Sequence, residues 1–172
     1  MARVDYPDVS SAEAQQTVEL IKRERGGRFP HLFHLQMYNP AVVESWLGLG
    51  TAVRFKSELD SPTRELAICL VARITGAEYE WLAHRRIAIG EGFSEAALDG
   101  ILDWRKGEFS EKHRAVLAFA EESTRSVEIS DATFDGVRPF LNPRQIVELM
   151  TTVAYYNMVS RFLVGLRVDL EQ

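Results

Sequence analysis

Residues 60–92 are the stretch that most constrains the fold, because their pattern predicts two helices that meet at Gly76. Ser61 is predicted to cap the first helix, with Pro62 at its first position, where the missing amide hydrogen costs nothing. The apolar residues of this helix recur every four positions, as Leu66, Leu70 and Ile74. A second helix is predicted from about Ala77, with its apolar side turned inward.

Glu65, Glu80 and His84 are the candidate catalytic residues of this helix pair. Glu80 and His84 are four residues apart, so they share one helix face and can touch. Glu65 lies on the preceding helix, and antiparallel packing across the short turn would bring it to the same place. In that apolar setting the three groups are partly desolvated, which shifts pKa values into the range that proton transfer requires. The alternative is a solvated surface ion pair worth about 0.3–0.5 kcal/mol.

A role is predicted for each of these groups. His84 transfers the proton, Glu80 orients the imidazole, and Glu65 faces the substrate as a second carboxylate. Two carboxylates in a small apolar pocket cannot both ionise cheaply, so at least one is predicted to have a pKa well above its ordinary value of about 4. The proton it holds, or the charged imidazole it favours, would then be available near neutral pH.

Arg64, Tyr79 and Cys69 are candidate substrate-binding residues, because they stand beside the proposed catalytic groups. Arg64 could hold a substrate carboxylate in a bidentate contact, or else pair with Asp60 at the surface. Tyr79 could donate a hydrogen bond into the site, or serve only in packing. Cys69 shares a helix face with Glu65, but a carboxylate alone raises the pKa of a thiol, and lone buried cysteines are usually inert.

The remaining histidines do not indicate a metal site. His31 and His34 have the spacing of a ligand pair, but the nearby sequence offers no third ligand before Glu44. His113 lies in the first turn of a polar helix and is expected to be solvated. The chain also carries no glycine-rich phosphate loop and no Gly-x-Ser-x-Gly elbow. The sequence therefore predicts no metal and no cofactor.

Helix start and stop signals recur through the rest of the chain, and no stretch shows the sustained alternation of a strand. A polar residue followed by proline opens two further helices, at Asn39-Pro40 and at Asn142-Pro143. The helix that begins near Pro40 is expected to be buried on most of its faces. We therefore predict an all-α, single-domain protein of about seven to eight helices.

The last predicted helix, from Asn142 to about Gly165, is more apolar than one buried face requires. Its large side chains are expected either to cover the core or to face another copy of the chain; they are Tyr155, Tyr156, Met158, Phe162 and Leu163. Exposed apolar patches of that extent are rare on monomers. We therefore predict a homo-oligomer.

Composition and charge exclude several classes of protein. The formal net charge of −5 over 172 residues, with no block of Lys or Arg, argues against a nucleic-acid partner. No apolar run approaches the ~20 residues of a membrane span, and the N-terminus lacks the apolar core of a secretory signal. The single cysteine, Cys69, excludes an internal disulfide framework. These features predict a soluble cytoplasmic protein.

The segment TRELAICLVARITGAEYEWLAHRRIAIGEGFSEAAL resembles the central part of the carboxymuconolactone decarboxylase family, which includes the alkylhydroperoxidase D-like proteins. The likeness runs from about Phe29 to Gly165 and rests on an Asn-Pro after the first apolar helix, an Arg-Glu-Leu start, a Glu-Tyr-Glu-Trp-x-x-His core and a closing apolar helix. It implies an alkylhydroperoxidase D-like helical bundle over residues 29–168, after an N-terminal helix and linker over residues 1–28. It also implies dimers, trimers or hexamers with active sites near subunit contacts.

The peroxidase branch of this family carries Cys-x-x-Cys-x-x-x-His, with a glutamate one helix earlier that helps to activate the thiol. Aligned on the histidine, His84 and Glu65 occupy the corresponding places, whereas Ala77 and Glu80 stand where the two cysteines would be. The resemblance therefore implies a branch without the Cys-x-x-Cys motif. The missing thiols oppose peroxiredoxin-type activity.

Three functions follow from these observations. The first is a cofactor-independent enzyme that uses acid–base chemistry on a small anionic organic substrate. For it, the resemblance implies a lactone or related carboxylate and a carboxy-lyase reaction, in which His84 protonates the enolate-like anion left by CO₂. The second is an alkylhydroperoxidase-type peroxidase. The third is a non-catalytic oligomer that binds a small ligand or a partner helix. The sequence does not choose the substrate.

Overall fold

A computed structural model describes residues 1–171, and within that range the chain forms nine α-helices, one 3₁₀-helix and no strand. The α-helices are α1 (Ala12–Glu24), α2 (His31–Gln36), α3 (Pro40–Phe55), α4 (Ser61–Thr75), α5 (Glu78–Gly90), α6 (Glu95–Asp99), α7 (Glu111–Ser126), α8 (Asp131–Val137) and α9 (Pro143–Leu166). The 3₁₀-helix covers Ile101–Lys106. The all-α prediction is confirmed. The helices outnumber the seven to eight predicted, because α2, α6 and α8 are independent helices of only five to seven residues.

Polar side chains start most of the helices, as the sequence predicts. The residues whose side chain accepts a hydrogen bond from the first turn are Ser11, Asn39, Asp60, Ser94, Ser110, Ser130 and Asn142. One predicted cap is wrong. Asp60 caps α4 by accepting from the Thr63 amide at 3.0 Å, whereas Ser61 is the first helical residue and its hydroxyl bonds to the Glu91 and Arg64 side chains.

Helix α4 forms the centre of the molecule. Its residues Thr63–Ala72 are all buried, because α5, α7 and α9 pack around it. The helix ends at Gly76, which adopts a left-handed backbone conformation with φ of 68°. Glycine accepts that conformation without the steric cost that a Cβ brings. The chain therefore reverses at once, and α5 returns along α4 as the sequence predicts.

Helix α3 is buried on one face only, which corrects the prediction that it is buried on most faces. The buried face consists of Val43, Leu47, Gly50 and Val53. Val42, Leu49 and Phe55 are exposed. The difference arises because α3 packs at the edge of the bundle, against α1, α2 and α9, and not in its centre.

Helix α9 divides its apolar residues between the core and the surface. Tyr155, Tyr156 and Leu163 are buried, so these three cover the core, whereas Val147, Met158 and Val164 are exposed. The neighbouring α3 also exposes apolar side chains. Although α9 has 24 residues, neither it nor another helix within residues 1–171 has an apolar stretch that could cross a membrane.

We propose that the exposed residues of α3 and α9 form a contact between copies of this chain. We expect light scattering at micromolar concentration to give a mass several times the 19.5 kDa of one chain, because association removes exposed apolar side chains from water. The Met158→Asp variant is expected to lower that mass. A clean monomer of the unmodified protein would contradict the proposal.

Candidate active site

A cavity of about 520 Å³ lies between the segment from Arg25 to Phe33, which includes the start of α2, and the helices α3, α5 and α9. Its lining residues are Arg25, Arg28, Phe29, Pro30, Leu32, Phe33, Gly50, Arg54, Tyr79, Glu80, Ala83, His84, Arg86, Tyr155, Tyr156, Val159 and Glu171. The volume is in the range of sites for small organic ligands. The cavity thus combines an apolar, largely aromatic wall with an acid–base pair and four arginines.

The three predicted catalytic residues converge at this cavity. His84 Nδ1 lies 2.5 Å from Glu65 Oε2, and His84 Nε2 lies 3.3 Å from Glu80 Oε2. All three side chains are buried. The imidazole is therefore held between two carboxylates, one from the preceding helix and one from its own helix.

The two carboxylates take different positions relative to the cavity. Glu80 and His84 line it, whereas Glu65 lies behind His84 and does not. Glu65 therefore fixes the ring through Nδ1, and Glu80 faces the ligand space. This geometry is the reverse of the predicted one, in which Glu80 orients the imidazole and Glu65 faces the substrate.

Hydrogen bonds and nearby charges together outweigh burial in setting the pKa values of His84 and Glu65. Burial acts to lower the pKa of His84, but the hydrogen bonds to Glu65 and Glu80 raise that pKa to about 9. Burial acts to raise the pKa of Glu65, yet the hydrogen bond from His84 and the charges of His84, Arg64 and Arg54 hold it below its ordinary value. The sequence predicts a raised pKa for at least one of the two carboxylates; at Glu65 the shift is in the opposite direction, because the charged imidazole stabilises the ionised form. The charged imidazole is the form that the structure favours near neutral pH.

Two tyrosines of α9 line the site beside His84. The Tyr156 ring meets the His84 ring edge to face, with the centroids 4.9 Å apart, and Tyr155 packs against Tyr156 in the same way. Burial raises the pKa of Tyr156 well above its ordinary value, as do the nearby carboxylates. The phenol therefore stays neutral, and it limits the access of water to His84.

Arg64 does not take the substrate-binding place predicted for it. The side chain is buried, its Nε lies 3.3 Å from Glu65 Oε1, and its Nη2 donates to the Ser61 hydroxyl at 2.8 Å. It is not part of the cavity lining. Arg64 therefore supports Glu65, and the alternative pairing with Asp60 is also wrong, because Asp60 pairs with Lys112.

Of the two remaining candidates for substrate binding, Tyr79 lines the cavity and Cys69 does not. Tyr79 lines the cavity, and its hydroxyl donates to the Glu171 carboxylate. Cys69 is fully buried and lies outside the lining. Burial, together with the charge of Glu65, raises the pKa of the Cys69 thiol. Cys69 therefore lacks both the access and the ionisation of a reactive thiol.

The other histidines serve in packing. His31 Nδ1 lies 3.1 Å from the Asp169 carbonyl oxygen, and His34 Nε2 lies 3.0 Å from that of Pro7, so both hold terminal segments. His113 is half-buried against Phe93 and not solvated as predicted. Within residues 1–171, no group of three or more His, Cys, Asp or Glu side chains has the arrangement of a metal site.

Residues that sequence reasoning missed come from distant elements. Arg25 caps the end of α1, Arg54 lies in the last turn of α3, and Glu171 belongs to the C-terminal segment. Arginine near the end of a helix is common for electrostatic reasons alone. No pattern in the sequence therefore distinguishes these arginines from surface residues.

The raised pKa of His84 makes stability depend on pH. A group that is more basic in the folded state stabilises folding fully below its unfolded-state pKa of about 6.5, and loses that contribution as the pH rises through about 9. We expect urea unfolding to show a loss of stability between pH 6.5 and 9.5 of at most about 3 kcal/mol. The His84→Gln variant should lack this component, so the difference between the two curves isolates it. Parallel curves would contradict the assignment.

Comparison with solved structures identifies the fold. The structure superposes on a peroxidase-related protein from Silicibacter sp. TM1040 with a TM-score of 0.84 and 20% identity, over 99% of this chain and 92% of the other. An AhpD core protein from Ralstonia eutropha JMP134 gives a TM-score of 0.84 and 16% identity, over 99% and 93%. The debrominase Bmp8, as a variant in complex with 2,3,4-tribromopyrrole, gives 0.81 and 15%, over 99% and 94%. These similarities establish an alkylhydroperoxidase D-like fold.

The sequence of the central helices is similar to a known family. Residues 40–122 match the model of the carboxymuconolactone decarboxylase family. The matched segment contains Glu65, Glu80 and His84 but neither Arg25 nor the α9 tyrosines. No curated protein sequence matches the chain significantly.

Proposed function

We propose that this protein is a cofactor-independent enzyme that performs acid–base chemistry on a small anionic organic substrate. The observation that carries the proposal is His84, held between Glu65 and Glu80 at the wall of the cavity. A buried acid and base with fixed geometry are what proton transfer to or from carbon requires. The ring-sized ligand of the Bmp8 variant supports a substrate of similar size.

Decarboxylation of a lactone or related carboxylate is the reaction that this arrangement supports best. The bond between the substrate carbon and its carboxylate breaks, CO₂ leaves, and the electron pair remains on the carbon as an enolate-like anion. The Nε2–H of the imidazolium, which is on the cavity side with Glu80, then protonates that carbon. His84 recovers its proton from water, so no oxidant or reductant is needed. Glu65 retains the ring throughout by its 2.5 Å contact with Nδ1.

A panel of small organic acids tests the proposal. We would incubate β-keto acids and carboxylated lactones with the protein in D₂O and follow the proton spectrum for loss of CO₂ or for deuterium incorporation at carbon. Turnover of at least one compound, at a rate above that of buffer, is the expected result. Binding without turnover across the panel would instead favour the non-catalytic ligand-binding oligomer.

Peroxidase activity is not expected. Ala77 and Glu80 occupy the two places where thiols would form a catalytic disulfide, and Cys69 is buried with a raised pKa. We expect no turnover of an organic hydroperoxide with a dithiol reductant above that of the Cys69→Ser variant. Robust turnover that depends on Cys69 would contradict this prediction and restore the peroxidase alternative.

A further inference from the structure

Part of the cavity wall carries positive charge that no ion pair of the described chain neutralises. Arg25 comes from the end of α1 and Arg54 from α3, and both are half-buried at the lining. Neither guanidinium lies within 4.0 Å of a carboxylate oxygen of residues 1–171. Burial, together with the charge of Arg54, lowers the pKa of Arg25. The fold therefore holds two like charges near each other, which is electrostatically unfavourable.

The Arg25 side chain is held in a fixed orientation, with one guanidinium nitrogen left to bind a ligand. Its Nη1 donates to the Glu24 carbonyl oxygen at 3.0 Å and to the Thr51 hydroxyl at 3.1 Å, and its guanidinium lies over the Phe33 ring. These contacts fix the plane of the group and leave Nη2 without a partner in the described chain. Gly50 allows both Tyr155 and Arg25 to approach α3, since a Cβ there would collide with the Tyr155 hydroxyl and lie 3.3 Å from Nη2.

The Arg54 side chain has fewer hydrogen-bond partners than that of Arg25. Its Nε is buried and has no hydrogen-bond partner among residues 1–171. A buried polar donor without a partner is costly, so such a group usually meets a ligand or an ion in the working protein. The carboxylates that also line the cavity are engaged elsewhere: Glu80 with His84, and Glu171 with Tyr79.

The other residues of the cavity wall indicate the chemical nature of the rest of the ligand. Five aromatic side chains line the cavity: Phe29, Phe33, Tyr79, Tyr155 and Tyr156. Aromatic faces pack best against flat groups, and a guanidinium binds a carboxylate through two parallel hydrogen bonds. The wall thus suits a planar ring that carries a carboxylate.

We propose that Arg25 and Arg54 form a carboxylate-binding subsite that takes a flat, ring-shaped organic acid and places its ring between these arginines and the Glu80–His84 pair. This inference rests on the proposed function, since it names the ligand class of the same cavity. In this proposal the carboxylate held by the two arginines anchors the ring and does not react. It also explains why the two arginines are kept together without an acidic partner.

Calorimetric titration of the full chain with benzoate, and with benzamide as its neutral counterpart, tests the subsite. We expect benzoate to bind at least ten times more tightly than benzamide. Arg54→Met and Arg25→Met should each weaken benzoate binding at least tenfold and leave benzamide binding unchanged, whereas Arg54→Lys should recover part of the loss. Arg23→Met, an exposed arginine of α1 outside the cavity, is the control with the same change of charge.

Equal binding of benzoate and benzamide, no binding of benzoate, or unchanged benzoate binding by both methionine variants would each overturn the subsite. Arg54 makes no hydrogen bond within the described chain, so its substitution tests the idea even if Arg25→Met fails to fold. The His84→Gln variant separates this inference from the proposed function. If that variant keeps full turnover, the acid–base proposal fails, while benzoate binding still decides the subsite.

Discussion

The His84→Gln variant is expected to lose about 100- to 10,000-fold in the turnover rate of any substrate found with the compound panel. That range is the usual contribution of a positioned proton donor or acceptor. Glutamine preserves much of the shape and can still bond to a carboxylate, but it cannot transfer a proton at neutral pH. The measurement is the initial rate of CO₂ loss or of deuterium incorporation under saturating substrate.

His113→Gln is the matched control for this variant, because His113 is half-buried but does not line the cavity. Its rate should equal that of the unmodified protein. If His84→Gln retained more than about a tenth of the rate, His84 would not be the group that transfers the proton. Glu80 would then be the remaining candidate, since it also faces the cavity.

The Glu65→Ala variant is expected to show the largest loss of stability, about 3–5 kcal/mol of the free energy of unfolding. Removal of Glu65 leaves the buried imidazolium without its shorter contact and leaves Arg64 without its carboxylate. For a chain of this size we expect the melting temperature to fall by roughly 10 °C. Thermal and urea unfolding, at a pH near 7, measure both quantities.

Glu128→Ala provides the comparison, because Glu128 is exposed in the segment between α7 and α8. Its effect should stay within about 0.5 kcal/mol. A loss below about 1 kcal/mol for Glu65→Ala would show that the Glu65–His84 pair is solvated or uncharged. The Glu65→Gln variant adds a direct readout by NMR titration, in which the pKa of His84 should fall below about 9.

The sequence predicts where helices begin better than it predicts which of their faces are buried. Starts such as Asn39-Pro40 and Asn142-Pro143 were predictable, because a cap and a fixed proline φ act within one turn of chain. The same local rule misplaced one cap by a residue at Ser61, where Asp60 and Ser61 compete for the role. The buried faces of α3 were not predictable, since burial depends on which helices pack against it.

The sequence by itself determined that Glu65, Glu80 and His84 meet, because four-residue spacing and a glycine reversal between two helices act over short distances. Only the tertiary structure decided which carboxylate faces the cavity, which sign the pKa shift of Glu65 takes, and that Arg25 and Arg54 join the site in place of Arg64. Those properties depend on contacts between α1, α3, α5 and α9, whose approach sets burial and charge at each atom. Local sequence encodes helices and their turns, whereas the electrostatics of a cavity come from all the elements that enclose it.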